Sequence, residues 1–265
     1  MVTIELAQIT VSQDKEENLT RIISIIDKSD ADIIVFPEYL MGITPRGATR
    51  EIVQKHAETI NGKFITKITE KSGDKDQAIV FTAYLKENGK IYNAAIATEN
   101  GEIKAIYKKT HLFDAFGYKG SKIFARGSKT TVTTLKGIKI GLAVCFDLRF
   151  PELFRVMALK GAQAYIIPAA WYRGPYKVQQ WLALTTARAH ENTTYLVAVN
   201  QTGKLFTGNS LVASPLGYIQ LNLGEKERTI KTTIDLDELR ETREKIPVLN
   251  LLNKEIISEL KNLIK

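Results

Sequence analysis

The chain has a single cysteine, Cys145. A lone thiol cannot close an intrachain disulfide, so packing must hold the fold, and a reducing, cytoplasmic setting is the natural expectation. No apolar run reaches the length of a bilayer span, and MVTIELAQIT has no basic region ahead of an apolar block. Neither a membrane partner nor a secretion signal is therefore expected. No GxxxxGK[ST] phosphate loop and no GxGxxG turn occurs, so no nucleotide cofactor is expected. GNSLV is not the GxSxG elbow of a serine hydrolase. His56, His111 and His190 are far apart and lack a ligand pattern, so no metal is expected.

Acidic charge is in deficit, and the formal net charge is +8. A basic balance raises the question of a nucleic-acid partner. The lysines, however, are scattered, as at Lys63, Lys67, Lys71, Lys75, Lys86 and Lys90. There is no dense basic block and no basic motif with interleaved aromatics, so the excess reads as a solvated surface.

Strand-like and helix-like segments alternate. VTIELAQI, DIIVF, AIVFTAYL and AYIIPAAW read as strands, and DKEENLTRIISIIDKS carries Leu19, Ile22, Ile23 and Ile26 at helical spacing. The stretch from about Thr49 to Ser72 reads mainly as helix. Asn100-Gly101 marks a hairpin, and TVTTLKGIKIGLAVC reads as a second strand pair. Hairpins mixed with strand–helix–strand units predict an α/β fold with mixed sheets and outer helices. One domain is expected over residues 1–246, followed by a tail over 247–265. Ile256, Ile257, Leu260 and Ile264 give that tail an apolar helix face, expected to pack on its own domain, with a dimer contact as the alternative.

In GLAVCFDLRFPELF an apolar strand stops at Cys145, and Pro151 suits the first turn of a helix. A thiol at such a corner can face a cleft, and a nearby helix N-terminus would favour its thiolate. An inert core cysteine is the alternative. Two other strands end in the same way: DIIVFPE at Glu38, and IKAIYKKTHLF at Lys108-Lys109. Strand ends on one rim converge. A thiol, a carboxylate to take its proton and an ammonium to hold negative charge make a coherent acyl-transfer site.

These three segments resemble the glutamate, lysine and cysteine motifs of the nitrilase superfamily, the carbon–nitrogen hydrolases. IIPAAW, ARAHENTTYLVAVNQTG and GNSLVASPLG resemble further segments of that family in the same order. The resemblance implies a four-layer α-β-β-α sandwich that pairs through outer helices into a homodimer. It implies Glu38 as general base, Lys109 as transition-state stabiliser, Cys145 as nucleophile and the Phe146 N–H as an oxyanion donor. Lys109 is preferred to Lys108 because K-x-H-L is the family spacing. CFDLRFPEL resembles most the amidase branches, including ω-amidases acting on 2-oxo acid amides and amidases acting on deaminated glutathione. A small-molecule amide is the implied substrate.

Arg149, Trp171, Tyr172 and Arg173 are the candidate substrate-binding residues. Arg149 has a structural alternative, a pairing with Asp147 or Glu152. His111 is expected to be a hydrogen-bonding structural residue, and Arg188 and Glu191 an ion pair on one helix. One departure from the family pattern is expected to matter. Many relatives carry a second glutamate after the lysine motif, where this chain has Gly120. Asp114 is the nearest carboxylate in sequence that could substitute for it. Without such a group, a weakly active binding or regulatory protein on the same fold is the alternative function.

Overall fold

A computed structural model describes residues 1–264. The first half of the chain runs β1 (Val2–Gln8), α1 (Lys15–Lys28), β2 (Ile33–Val35), α2 (Arg50–His56), α3 (Lys63–Asp74), β3 (Ala78–Glu87), β4 (Lys90–Glu99) and β5 (Glu102–Lys108). The second half runs β6 (Thr131–Leu135), β7 (Ile138–Leu142), α4 (Pro151–Leu159), β8 (Ala164–Ala169), α5 (Lys177–His190), β9 (Tyr195–Asn200), β10 (Leu211–Ala213), β11 (Ile219–Asn222), β12 (Arg228–Ile234), α6 (Leu236–Lys245) and α7 (Lys254–Leu263).

The strands form two six-stranded sheets, ordered β12-β1-β2-β3-β4-β5 and β11-β10-β9-β8-β7-β6. Each sheet has a parallel centre, β1-β2-β3 in one and β7-β8-β9 in the other, with antiparallel strands outside it. Period-two alternation assigns the faces. Ile4, Leu6, Ile33, Val35, Ala78 and Val80 pack with the second sheet in one buried cluster. Their sequence neighbours Ala7, Ile34 and Ile79 pack instead with Leu19, Ile22 and Ile26 of α1 and with Phe64 and Ile68 of α3. Phe154 of α4 and Trp181 of α5 bury against the outer face of the second sheet. The result is a four-layer α-β-β-α sandwich.

Local chemistry explains the element ends. Asp14 caps α1 by accepting from the amides of Glu16 and Glu17, which also place negative charge in the first turn. Asn100 and Gly101 both take positive φ in the β4–β5 turn, the conformation that Asn-Gly tolerates best. Pro151 is the first residue of α4.

The stretch from Thr49 to Ser72 is mainly helical, as expected, and divides into α2 and α3. Between them the backbone of Glu58 pairs with the end of β3, donating to Tyr84 O at 3.1 Å and accepting from Lys86 N at 2.7 Å, which draws the chain out of helical geometry. The tail helix α7 does not pack on its domain, and Ile256, Ile257 and Leu260 remain 59, 49 and 47% exposed. Its apolar periodicity correctly marks a face, but periodicity does not say what covers that face. Finally, β11 was not anticipated; its half-exposed edge residues give little alternation.

Candidate active site

β1, β2, β3, β5, β7, β8 and β9 end on one side of the two sheets, and three of those ends carry the predicted triad. Beyond β2, Phe36 N still bonds Val80 O at 2.9 Å. Two residues later Glu38 N crosses to the second sheet and donates to Ala169 O at 3.2 Å. Beyond β5, Lys109 N donates to Asn93 O at 2.9 Å, so strand pairing extends one residue past the strand. That pairing fixes the alternation. Lys109 points inward and is 3% exposed, whereas Lys108 points outward to Glu87 and Tyr92. Beyond β7, Cys145 takes a φ of +47° and opens a short 3-10 turn over Cys145–Arg149. A non-glycine residue in that region is held there by its surroundings at a cost.

Asp147 is what holds the turn. Fully buried, it accepts from Val144 N at 2.9 Å, Tyr107 Oη at 2.9 Å and His111 N at 3.1 Å. It thereby ties the cysteine turn to the strand end that bears Lys109. His111 also contacts Asp147 through Nδ1 at 2.8 Å and stacks on Phe150, which is a structural role.

The three side chains meet. Lys109 Nζ donates to Glu38 Oε1 at 2.7 Å, and so does Asn93 Nδ2 at 2.7 Å. Ala170 N donates to Glu38 Oε2 at 3.0 Å. Gln201 Nε2 holds the Glu38 main chain through its carbonyl at 2.6 Å. Cys145 lines the same cavity as Glu38, Lys109 and Ala170. Burial pushes the thiol's pKa well up; the Glu38 charge adds to the rise, and Lys109 opposes it only in part. The expectation that the corner favours a thiolate is therefore corrected, because desolvation beside a carboxylate outweighs the turn. Burial also works against the Lys109 ammonium, but Glu38, Cys145 and Asp147 together outweigh it, and the lysine's pKa is raised. The resting site thus pairs a carboxylate and an ammonium, with a neutral thiol beside them.

A narrow cavity of about 20 Å³ opens over these groups. Phe146, Arg149, Trp171 and Tyr172 line it. Arg149 does not pair with Asp147 or Glu152. It donates to Gln180 Oε1 at 2.8 Å and lies 5.0 Å from the centre of the Trp171 ring. Arg173 is not part of the lining; it turns outward to Gly203 O at 3.0 Å and Glu225 at 3.0 Å. Its main chain is held there too, since Arg173 N bonds Leu205 O at 2.8 Å. Arg188 and Glu191 pair at 3.0 Å. Tyr39, Phe113 and Lys177 line the cavity although the sequence did not nominate them. Each sits on a turn, loop or helix start whose placement depends on tertiary contacts.

Asp114 does not stand in for the absent second glutamate. It accepts from Ser121 N at 2.9 Å and Ser121 Oγ at 2.6 Å on the surface. Gly120 N bonds Phe113 O at 3.0 Å, and a Cβ on Gly120 would come within 3.1 Å of that same oxygen. The glycine lets the loop backbone close on itself behind Phe113. Glu38 is the one carboxylate bonded to Lys109 among the described residues.

The family described as carbon-nitrogen hydrolase matches residues 3–244. The chain is 32% identical over 225 residues to the deaminated glutathione amidase of Escherichia coli O157:H7, covering 84% of this chain and 85% of that one. It is 30% identical over 262 residues to the 2-oxoglutaramate amidase of Bacillus subtilis, covering 96% and 98%. Among solved structures, a CN-hydrolase superfamily protein from Xanthomonas campestris with an arsenic adduct in its active site superposes with a TM-score of 0.86 at 26% identity, covering 95% and 97%.

Proposed function

The chain belongs to the carbon–nitrogen hydrolase family, in its amidase branch, and from that premise we propose that it hydrolyses a small linear carboxylated amide through a thioester on Cys145. A 2-oxo acid ω-amide is the first candidate substrate. The observation that carries the mechanism is the buried Glu38 carboxylate, bonded to the Lys109 ammonium at 2.7 Å and lining one cavity with Cys145.

Glu38 takes the thiol proton as Sγ attacks the amide carbon. The carbonyl oxygen becomes an oxyanion held by Lys109 and by the Phe146 N–H, an amide at the start of a helical turn and so without a partner inside it. Collapse breaks the C–N bond, Glu38 returns its proton to the leaving nitrogen, and ammonia departs. Water then enters and gives a proton to Glu38 as its oxygen attacks the thioester. The C–S bond breaks, the proton passes back to sulfur, and the acid leaves. One base serves both halves because it lies between the sulfur and the ammonium.

Arg149 supports the carboxylated class. It faces the cavity, and its planar fork suits a carboxylate. The names of the relatives point the same way. The test is ammonia release across carboxylated ω-amides, neutral amides and nitriles, and a clear preference for the neutral amides or nitriles overturns the reading. A second measurement separates the lysines. Lys109→Met is expected to lose roughly 100- to 1000-fold in kcat, the scale of one oxyanion donor. Lys108→Met, altering an outward residue, should stay within a few-fold of wild type. Reversal of the two effects would overturn the assignment.

A reducing, cytoplasmic setting is part of the same proposal, since the lone Cys145 must stay a free thiol to act. No helix among the described residues is long and apolar enough to cross a membrane. Exposed Val156 and Leu159 on α4 and the uncovered face of α7 suit pairing with a second copy of the chain.

A further inference from the structure

Two cations border the cavity with no anion between them. Lys177, the first residue of α5, places Nζ 3.9 Å from the centre of the Phe116 ring and 5.8 Å from that of Trp171. Arg149 lies over the same Trp171 ring at 5.0 Å. Neither makes an ion pair among the described residues. Glu38, the one carboxylate of the lining, is already taken by Lys109, Asn93 and the Ala170 amide. Counting the lining side chains, Lys109 cancels Glu38, and Arg149 and Lys177 are left as uncompensated positive charge. Burial, and then the charge of Arg149, work against the Lys177 ammonium.

The surroundings of Lys177 differ at its two ends. Its main chain is fixed, since Trp171 Nε1 donates to Lys177 O at 2.9 Å. Its ammonium rests mainly on Phe116, a ring that is 78% exposed on the loop between Phe113 and Gly117, with Trp171 farther off at 5.8 Å. A cation over an exposed ring is held weakly, whereas a charge-assisted hydrogen bond to a carboxylate is among the stronger polar contacts. A carboxylate entering between Arg149 and Lys177 replaces one like-charge repulsion by two attractions. The flexible lysine stem allows the ammonium to leave Phe116 and reach it.

We propose that Lys177 is a specificity-determining residue that moves from Phe116 to clamp, together with Arg149, the carboxylate at the acyl end of the bound amide. The inference rests on the amidase reading for its substrate, but not for its binding site. Lys177 is thereby assigned the discrimination between carboxylated and neutral acyl groups. Neutral acyl groups of equal length leave the two cations unpaired and bind poorly.

The test compares wild type, Lys177→Met and Lys177→Arg on succinamate and on the uncharged butyramide, and titrates each protein with succinate by calorimetry. Lys177→Met is expected to lose roughly 10- to 30-fold more kcat/KM on succinamate than on butyramide, chiefly through KM, as suits loss of one hydrogen bond to a charged group. Its affinity for succinate should fall by about the same factor, and Lys177→Arg should recover most of both. Equal losses on the two amides with unchanged succinate affinity would overturn the proposal. So would a wild type that binds no succinate. Absence of ammonia from either amide with wild type counts against the amidase reading alone, and the succinate titration still decides the role of Lys177.

Discussion

Ammonia release by Cys145→Ala is expected to fall roughly a million-fold, the scale of removing a hydrolase nucleophile. The fold should survive. Cys145 is a small side chain at a corner, and alanine occupies its φ of +47° with no more strain than cysteine does. Mass spectrometry should find an acyl adduct on wild type during turnover and none on the variant. Alkaline melting supplies a second readout. The folded thiol keeps its proton far above the ordinary cysteine value of 9.0, because burial and then Glu38 hold it neutral. Above that value the unfolded chain releases a proton that the folded chain retains, so wild-type stability falls as pH rises. Cys145→Ala lacks this group and should lose less of its melting temperature between about pH 8 and pH 10. Near-normal ammonia release by the variant would end the thioester mechanism.

The convergence of Glu38, Lys109 and Cys145 was legible because each ends an apolar strand. Strand ends on one rim converge whatever the loops do; alternation puts Lys108 and Lys109 on opposite sides, and the K-x-H-L resemblance chose Lys109. The ionisation of Cys145 was not legible. Sequence shows a corner ahead of a helix; it does not show that the thiol would be buried against a carboxylate. Asp147 reads in sequence as a partner for Arg149. In the fold it turns to Tyr107, His111 and Val144 and so frees Arg149 for the cavity. Lys177 was invisible because a lysine in the first turn of an amphipathic helix normally faces water. Only the packing of Trp171 under its main chain brings it to the cavity. The uncovered face of α7 marks the same boundary, since a pattern states what a segment must bury and leaves the partner open.

Glu38→Gln is expected to lose about four orders of magnitude in kcat, at the upper end for a general base, while its cysteine becomes easier to alkylate. The first half follows from the hydrogen bonds. Glu38 Oε1 accepts two N–H groups, from Lys109 and Asn93, and Oε2 accepts a third from Ala170. Glutamine must place an NH2 against one of those sets of donors, so no orientation satisfies them all. Lys109 is also left as a buried ammonium without its counter-charge, which costs roughly 3–5 kcal/mol when one partner of such a pair is removed. A lowered melting temperature should accompany the loss of rate. The second half follows from the sign of each charge on the thiol. Burial holds the thiol's pKa up, Glu38 raises it further and Lys109 lowers it. Removing Glu38 takes away one raising influence and leaves Lys109 where it stands, so the thiol ionises at lower pH. Iodoacetamide should therefore modify Glu38→Gln faster than wild type at moderately alkaline pH, even though amide turnover is lost. A base that served only to make thiolate would be dispensable once thiolate forms more easily. The predicted split arises because Glu38 must also deliver a proton to the leaving nitrogen and take one from water. Turnover within tenfold of wild type, together with faster alkylation, would remove Glu38 from those two proton transfers and leave it only the positioning of Lys109.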